Sequence, residues 1–225
     1  MKISVLIPAY NAGSSIYSTV QSIKSVYQDL EEIIVVDDGS RDNTAEQAKL
    51  AGAKVLRLDK NRGKGGALNQ GAKFLKGDII VLLDADLRES AAKFTRLLLP
   101  ITGDSADVTV AKFPPPPVPG GFGIVKGLAA LGIFCLTGKK VSCPLSGQRA
   151  MRKDVFNSLI PFAGGYGVEV AATIDILNQG WRLEEVEIDM IHSYTGRNII
   201  GFLHRGRQFF DILYTIILKI LRKQS

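Results

Sequence analysis

Short apolar runs alternate with helix-patterned segments up to residue 86, and this alternation constrains the fold more than any other feature. The apolar runs are residues 3–7, 32–36, 53–58 and 77–83. The segments between them that carry helical spacing or helix-capping residues are 14–27, 42–51 and 66–75. Strands that alternate with helices predict an α/β fold with a mostly parallel sheet covered by helices on both faces.

Polar and glycine-rich segments follow each of the four predicted strands. In parallel sheets, ligands bind outside the carboxyl ends of the strands. We therefore expect these segments to meet along one edge of the sheet and to form a binding site. They are residues 8–11, 37–40, 61–66 and 84–86.

Asp84 and Asp86 follow the strand of residues 77–83 and have one residue between them. On an extended segment such side chains point to the same side, so both carboxylates are expected to face one point. Carboxylate oxygens suit a hard divalent cation such as Mg²⁺ or Mn²⁺, and a cation held there would bridge a substrate diphosphate. A strand-end turn with solvated carboxylates is the alternative interpretation.

Two further strand-end segments carry groups suited to a nucleotide. Asp37 follows the apolar residues 33–36, where its carboxylate can accept a hydrogen bond from a nucleobase imide or a ribose hydroxyl. Residues 61–66, Asn-Arg-Gly-Lys-Gly-Gly, would let a phosphate approach the backbone, with Lys64 as a point charge. The alternative for Asp37 is an ordinary turn, and the alternative for residues 61–66 is a flexible connection between a strand and a helix. The glycine and lysine spacing of residues 61–66 differs from the Walker motif, which argues against a nucleoside triphosphatase.

Taken in order, these motifs resemble the nucleotide-sugar half of a family-two-type glycosyltransferase with the GT-A fold. The motifs are Ile-Pro-Ala-Tyr-Asn at 7–11, Val-Val-Asp-Asp-Gly-Ser at 35–40, Asn-Arg-Gly-Lys-Gly-Gly at 61–66 and Leu-Asp-Ala-Asp at 83–86. The resemblance covers residues 1–100. It implies a GT-A sheet, a nucleoside-diphosphate sugar as donor and Mg²⁺ or Mn²⁺ as cofactor.

The same resemblance implies roles for individual residues. Asp37 would contact the uracil or the ribose, and Lys64 would lie near the base or the phosphates. Asp86 would ligate the metal, and Asp84 would act beside it in catalysis. The residues assigned to the nucleotide are Pro8, Ala9, Tyr10, Asn11, Asp37, Lys64, Asp84 and Ala85.

The second half resembles the acceptor half of the glucosyl-3-phosphoglycerate synthases and their close relatives. The motifs are Pro-Leu-Ser-Gly-Gln-Arg-Ala at 144–150 and Gly-Gly-Tyr-Gly-Val-Glu at 164–169. Glu169 would contact the transferred sugar as a catalytic residue, and His192 would complete the metal shell with Asp86. The implied acceptor-binding residues are Ser146, Gly147, Gln148, Arg149 and Asn198.

The C-terminal residues 199–225 predict a basic amphipathic helix that follows a glycosyltransferase domain of residues 1–198, with a nucleotide-sugar half at 1–100 and an acceptor half at 101–198. Such a helix can lie on an anionic membrane, which would place the protein on the inner face of the plasma membrane. Packing against the domain or against a second copy of the chain, as in a homodimer, is the alternative.

Two cysteines without a partner at zinc-ligand spacing indicate a reducing cytoplasm. The net charge of +6 suits polyanionic partners, and the motifs favour phosphorylated small molecules over nucleic acid. The expected function is metal-dependent transfer of a sugar from a UDP-sugar to a phosphorylated acceptor. Alternatives are a polyprenyl-phosphate glycosyltransferase at the membrane surface, a nucleotidyltransferase, and a non-catalytic nucleotide-binding or scaffold protein.

Overall fold

The computed structural model describes residues 1–114, 123–190 and 199–223. Along these residues the strands are β1 (Ile3–Ala9), β2 (Leu30–Asp37), β3 (Lys54–Arg57), β4 (Ile79–Leu82), β5 (Val108–Lys112), β6 (Arg149–Arg152) and β7 (Leu183–Glu187). The α-helices are α1 (Ile16–Val26), α2 (Thr44–Leu50), α3 (Gly63–Gly71), α4 (Thr95–Thr102), α5 (Ile124–Thr137), α6 (Lys153–Ser158), α7 (Val168–Asn178) and α8 (Ile199–Lys223).

All seven strands of the described chain form one sheet in the order β3-β2-β1-β4-β6-β5-β7. The strands β3, β2, β1 and β4 run parallel, β6 runs antiparallel to both of its neighbours, and β5 and β7 are again parallel. The predicted α/β fold with a mostly parallel sheet is therefore confirmed. The carboxyl ends of β1, β2 and β4 lie side by side at one edge.

The central strands are buried on both faces, which explains their almost continuous apolar sequence. In β1, Val5 and Ile7 point into a core beneath α1 and α2, whereas Leu6 points into a second core beneath α3 and α6. The alternation is the period of two that a strand imposes on its side chains. With both faces anchored, β1 holds its polar C-terminal continuation in a fixed position at the sheet edge.

Several elements were not predicted from the sequence, among them α4, α5 and α6. A 3-10 helix (Arg88–Phe94) leads into α4, whose apolar residues pack against β5 and β6. The strand β6 was not predicted, because its four residues have arginine at both ends. Helix α3 begins at Gly63, three residues earlier than predicted, so the glycine-rich segment is the first turn of the helix.

Helix α8 packs on the body of the protein. Its Ile212 and Ile216 are buried with residues of α5 and α7 in a third apolar cluster. Lys219 forms an ion pair with Asp175 of α7. An added Cβ at Gly132 would overlap the Ile216 side chain, so α5 and α8 approach closely at a glycine. In the described part of the chain, no helix combines the length and the apolar character needed to cross a membrane.

An ion cluster ties the far end of the sheet together. Asp107, directly before β5, accepts hydrogen bonds from Arg182 Nε at 3.0 Å and from Arg182 Nη2 at 2.8 Å. Arg152, at the end of β6, lies 3.4 Å from the same carboxylate. The hydrogen bonds from Arg182 lower the pKa of the Asp107 carboxyl to about 2.

We expect Asp107→Asn to lower the melting temperature at pH 7 by about 2–4 °C. Because the folded pKa of about 2 lies below the unfolded value of about 3.9, the stabilisation is complete above the unfolded pKa and is lost as the pH falls towards the folded pKa. The difference between wild type and variant should therefore shrink from pH 4 downwards. Thermal melts of both proteins and of the exposed-residue control Asp59→Asn would measure it, and a pH-independent difference would contradict this explanation.

Candidate active site

A cleft of about 800 Å³ lies at the carboxyl ends of β1, β2 and β4. All four polar segments predicted at the strand ends contribute to its walls, as the alternation of strands and helices predicts. Residues from α7 and α8 close the opposite side. The lining residues include Pro8, Ala9, Tyr10, Asn11, Asp38, Asn61, Lys64, Asp84, Ala85, Asp86, Arg88, Tyr166, Glu169, Arg207 and Asp211.

The segment after β1 forms one wall and is held rigidly. Asn11 has a left-handed backbone with φ of 51°, a conformation that asparagine tolerates better than most residues. Its backbone N–H donates to Ser40 Oγ at 2.9 Å, and its side-chain oxygen accepts from the Arg41 N–H at 2.9 Å. The exposed face of Tyr10 is thereby presented to the cleft.

Two adjacent carboxylates at the end of β2 have different surroundings. Asp37 is fully buried, with Oδ1 accepting from the Ser40 N–H at 2.9 Å and Oδ2 at 3.5 Å from Arg57 Nε. Asp38 lines the cleft and accepts from the N–H groups of Arg62 and Gly63 at 2.7 and 2.8 Å. It therefore caps the start of α3.

Burial raises the pKa of the Asp38 carboxyl, although the two backbone donors oppose this effect. Sequence reasoning selected Asp37 for the nucleotide and left Asp38 without a role. Only Asp38 is among the residues that line the cleft. The side chain of Asp37 is fully buried, and its Oδ2 has no hydrogen-bond partner among the described residues. The role predicted for Asp37 stays a prediction.

The turn after β4 is fixed to α1 by one threonine. Thr19 Oγ1 donates to the Ala85 carbonyl at 3.0 Å and accepts from the Arg88 N–H at 2.8 Å. Arg88 has a left-handed backbone with φ of 49°, so the chain turns sharply directly after Asp86. Asp84, Ala85 and Asp86 all line the cleft as a result.

Lys64 connects the two halves of the site. Its ammonium lies 2.7 Å from Asp84 Oδ1 and 2.8 Å from Glu169 Oε1. Burial of the ammonium acts against its charge, but the two carboxylates outweigh this effect and raise the pKa of Lys64. Gln148 Nε2 donates to Asp84 Oδ2 at 2.5 Å, so both oxygens of Asp84 are engaged, one by Lys64 of α3 and one by Gln148 before β6.

The predicted acceptor residues around Gln148 lie behind this network. Ser146, Gln148 and Arg149 are each buried, and the segment is absent from the lining of the cleft. An added Cβ at Gly147 would overlap Lys64 Nζ, so the glycine allows the ammonium to reach Asp84. These residues support the carboxylates from behind, and their predicted contact with an acceptor stays a prediction.

Arg149 is an unusual buried cation. Its Nε donates to the Ser146 carbonyl at 2.9 Å and its Nη2 to the Glu169 carbonyl at 3.1 Å. Burial lowers the pKa of the guanidinium to about 10, so the group stays charged at neutral pH. It ties the strand β6 to the start of α7 and thereby helps to hold Glu169 in the cleft.

The oxygen ligands at this edge suit a hard divalent cation. Asp86 lines the cleft beside Asp84, and carboxylate oxygens are the ligands that Mg²⁺ and Mn²⁺ prefer. Among the described residues, no three histidine, cysteine or acidic side chains come together as a metal site. In proteins, Mg²⁺ usually takes part of its coordination from substrate phosphates and water.

The sequence reasoning missed three cleft residues that come from the last third of the chain: Tyr166, Arg207 and Asp211. Asp211 Oδ2 accepts from the Tyr166 N–H at 3.1 Å. Gly165 has φ of 65°, and a Cβ there would overlap Asp211. The only feature of the sequence that pointed to this part of the cleft was the glycine-rich motif before Glu169. Two further predicted site residues, His192 and Asn198, lie outside the described residues.

Helix α3 contacts the segment before α7 without a gap. An added Cβ at Gly65 would overlap the carbonyl oxygen of Ala163. Asn69 secures the same contact, since it donates to the Phe162 carbonyl at 3.1 Å and accepts from the Phe162 N–H at 2.7 Å. The position of Lys64 therefore depends on a glycine next to it.

We expect Gly65→Ala to lower the free energy of unfolding by about 2 kcal/mol, because either α3 or the backbone at residue 163 must move. Urea denaturation would measure the change. Gly127→Ala is the matched control, since Gly127 is also inside a helix and has open space around its Cβ position. Equal effects of the two substitutions would show that helix propensity, rather than this contact, decides the outcome.

Comparisons with known proteins agree with this geometry. The profile of Glycosyl transferase family 2 matches residues 4–160. Glucosyl-3-phosphoglycerate synthase of Mycobacterium tuberculosis is 32% identical over 199 residues, covering 79% of this chain and 61% of that protein. Dolichol-phosphate mannosyltransferase of Pyrococcus furiosus is 32% identical over 228 residues, covering 95% of this chain and 62% of that protein. The chain thus spans 61–62% of the length of these curated relatives.

Solved structures share the fold. The crystal structure of the M. tuberculosis glucosyl-3-phosphoglycerate synthase with Mn²⁺, UDP-glucose and phosphoglyceric acid has a TM-score of 0.81 and 28% identity, covering 97% of this chain and 79% of that chain. The same enzyme with Mg²⁺ and UDP has a TM-score of 0.80 and 28% identity, covering 97% and 79%. The predicted GT-A-type sheet with a C-terminal helix is confirmed.

Proposed function

This chain belongs to glycosyl transferase family 2, and we propose that it transfers a sugar from a UDP-sugar to a phosphorylated acceptor of the phosphoglycerate type, with Mg²⁺ or Mn²⁺ as cofactor. The observation that carries the proposal is the network in which Lys64 joins Asp84 to Glu169 within the strand-end cleft. The similar synthase whose crystal contains Mn²⁺, UDP-glucose and phosphoglyceric acid supports the same reaction class.

In this proposal the nucleoside lies along the wall made by Tyr10, Asn11 and Asp38, and the diphosphate lies over Ala85 and Asp86. When bound, the divalent cation would be held by Asp86, with Asp84 nearby, and would neutralise the departing diphosphate. A primary ammonium has three N–H donors. Lys64 directs two of them to Asp84 and Glu169 and can offer the third to a substrate phosphate.

Glu169 is the proposed catalytic carboxylate on the acceptor side. It lies in the first turn of α7 and forms an ion pair with Lys64. If the reaction inverts the sugar, a carboxylate must remove the proton from the acceptor hydroxyl, and Glu169 is placed to do so. An acceptor that attacks through an ionised phosphate needs no such base.

Analysis of the products tests this proposal against its alternatives. With UDP-glucose, Mn²⁺ and 3-phosphoglycerate, the proposed enzyme releases one UDP for each sugar that becomes attached to the acceptor. A nucleotidyltransferase would produce or consume pyrophosphate instead. A non-catalytic nucleotide-binding protein would leave the UDP-glucose intact even at high protein concentration. Phosphorus NMR of the mixture separates these three results.

A polyprenyl-phosphate acceptor is the second candidate. Large apolar side chains are exposed on both α5 and α8, among them Leu131 at 60% and Phe210 at 69%. The similarity to a dolichol-phosphate mannosyltransferase supports the same candidate. Liposome co-sedimentation of the wild type and of Phe210→Ser tests it: failure of both to bind anionic vesicles would count against a membrane-bound acceptor. A truncation is unsuitable, because it would remove Asp211 from the cleft.

Partners and location follow as part of the proposal. Cys135 and Cys143 are free thiols, which supports a reducing cytoplasm as the location. The exposed apolar side chains of α5 and α8 would serve either a membrane surface or a homodimer. Sedimentation of the purified protein separates the dimer from the monomer.

A further inference from the structure

The anchoring of α8 places an exposed arginine at the cleft. Asp211 accepts the Tyr166 N–H, and the left-handed Gly165 makes room for this carboxylate. Two turns of the helix are further held by Ile212 and Ile216 in the apolar cluster. Arg207 lies four residues before Asp211, one turn along the same side of the helix, and both residues line the cleft.

The positively charged side chains of the cleft differ in their surroundings. The cationic side chains that the described residues contribute to the cleft are Lys64, Arg88 and Arg207. Lys64 is held between Asp84 and Glu169. Arg88 belongs to the turn directly after Asp86, on the side proposed for the diphosphate and its cation.

Arg207 is on the opposite wall, which the second half of the chain builds. The same wall also contains Tyr166, Glu169 and Asp211, whereas the nucleoside wall comes from the ends of β1 and β2. A guanidinium offers planar paired donors that fit the oxygens of a phosphate. Arg207 and the proposed catalytic carboxylate, Glu169, line the same cleft, on the wall where an acceptor, rather than a nucleoside, would lie.

We propose that Arg207 binds the phosphate monoester of the acceptor and so selects phosphorylated acceptors over uncharged ones. The proposal rests on the proposed transferase function and names its acceptor chemistry. A small phosphorylated acid and a polyprenyl phosphate both present this group to the cleft. The recognition therefore holds for either source of the phosphate.

The test compares Arg207→Gln with the wild type. We expect the KM for 3-phosphoglycerate to rise about 10- to 100-fold, because a charge-assisted hydrogen-bond pair is lost. The affinity for UDP in the presence of Mn²⁺, measured by calorimetry, should stay within about twofold. Arg207→Lys should recover part of the affinity, since it keeps the charge but loses the paired geometry. Arg96→Gln, an exposed arginine on α4 outside the cleft, is the matched control.

Two results of these measurements on Arg207→Gln would overturn the proposal. An equal loss of UDP affinity would place Arg207 on the donor diphosphate. An unchanged KM for the phosphorylated acceptor would show that Arg207 makes no contact with it.

A second assay of the wild type and Arg207→Gln uses farnesyl phosphate as the acceptor. If the wild type uses only this lipid and the variant uses it poorly, the phosphoglycerate-type acceptor fails while the role of Arg207 stands. Use of neither acceptor by the wild type would overturn the role of Arg207.

Discussion

Asp86→Ala is expected to reduce sugar transfer by roughly a thousandfold, the largest effect on activity that we expect from a single substitution. Asp86 lines the cleft directly after the buried strand β4, where the diphosphate and its cation are proposed to bind. Without this carboxylate, the divalent cation would lose a ligand. The negative charge that develops on the leaving diphosphate would then no longer be neutralised by a cation in a fixed position. Steady-state rates at saturating Mn²⁺ and UDP-glucose measure the loss.

The control for Asp86→Ala is Glu89→Ala, which removes an exposed carboxylate three residues further along the same turn and outside the cleft. It should retain the rate of the wild type. Melting temperatures of both variants separate loss of function from loss of folding. A rate of Asp86→Ala within about tenfold of the wild type would place the cation elsewhere.

Lys64→Met is expected to have the largest effect on stability, lowering the free energy of unfolding by about 3 kcal/mol. The substitution removes the cation that lies between Asp84 and Glu169 and leaves two partly buried carboxylates facing each other. The side chains of Lys64 and Asp84 are 27% and 33% exposed. Because water screens part of their interaction, the expected loss of unfolding free energy is at the lower end of the range for a broken buried ion pair. Urea denaturation measures the effect.

A double-mutant comparison separates charge from packing at Lys64. Adding Glu169→Gln to Lys64→Met should restore part of the lost stability, because only one carboxylate is then left without its cation. Lys60→Met, in the exposed segment before α3, is the control and should leave stability within about 0.5 kcal/mol of the wild type. If the double variant is no more stable than Lys64→Met, repulsion between the carboxylates is not the cause of the loss.

The first half of the fold could be predicted because β1, β2 and β4 are buried along most of their length and each strand is followed by a polar segment. Residues 33–36 and 79–82, for example, are continuously apolar and continuously buried. The rule that ligands bind at the carboxyl ends of parallel strands then predicted the cleft. Lys64 and Asp84 were both identified in this way, although their direct ion pair was not.

The second half was harder to predict, for physical reasons that particular residues illustrate. The strand β6 carries Arg149, whose guanidinium is buried by contacts with two backbone carbonyls that only the folded chain brings together. The basic residues of α8 suggested a membrane-binding helix, because amphipathic spacing is the same for a helix that packs on protein and for one that lies on lipid. Asp211 and Arg207 became part of the site only through tertiary packing.

The proposed function requires that the strand-end cleft bind uridine diphosphate through a divalent cation. This binding is measured by calorimetric titration of the wild-type protein with UDP, once with Mn²⁺ and once with EDTA. The predicted result is binding that requires Mn²⁺ and is lost in Asp86→Ala. Equal UDP affinity in EDTA, or no binding in either condition, would contradict the account.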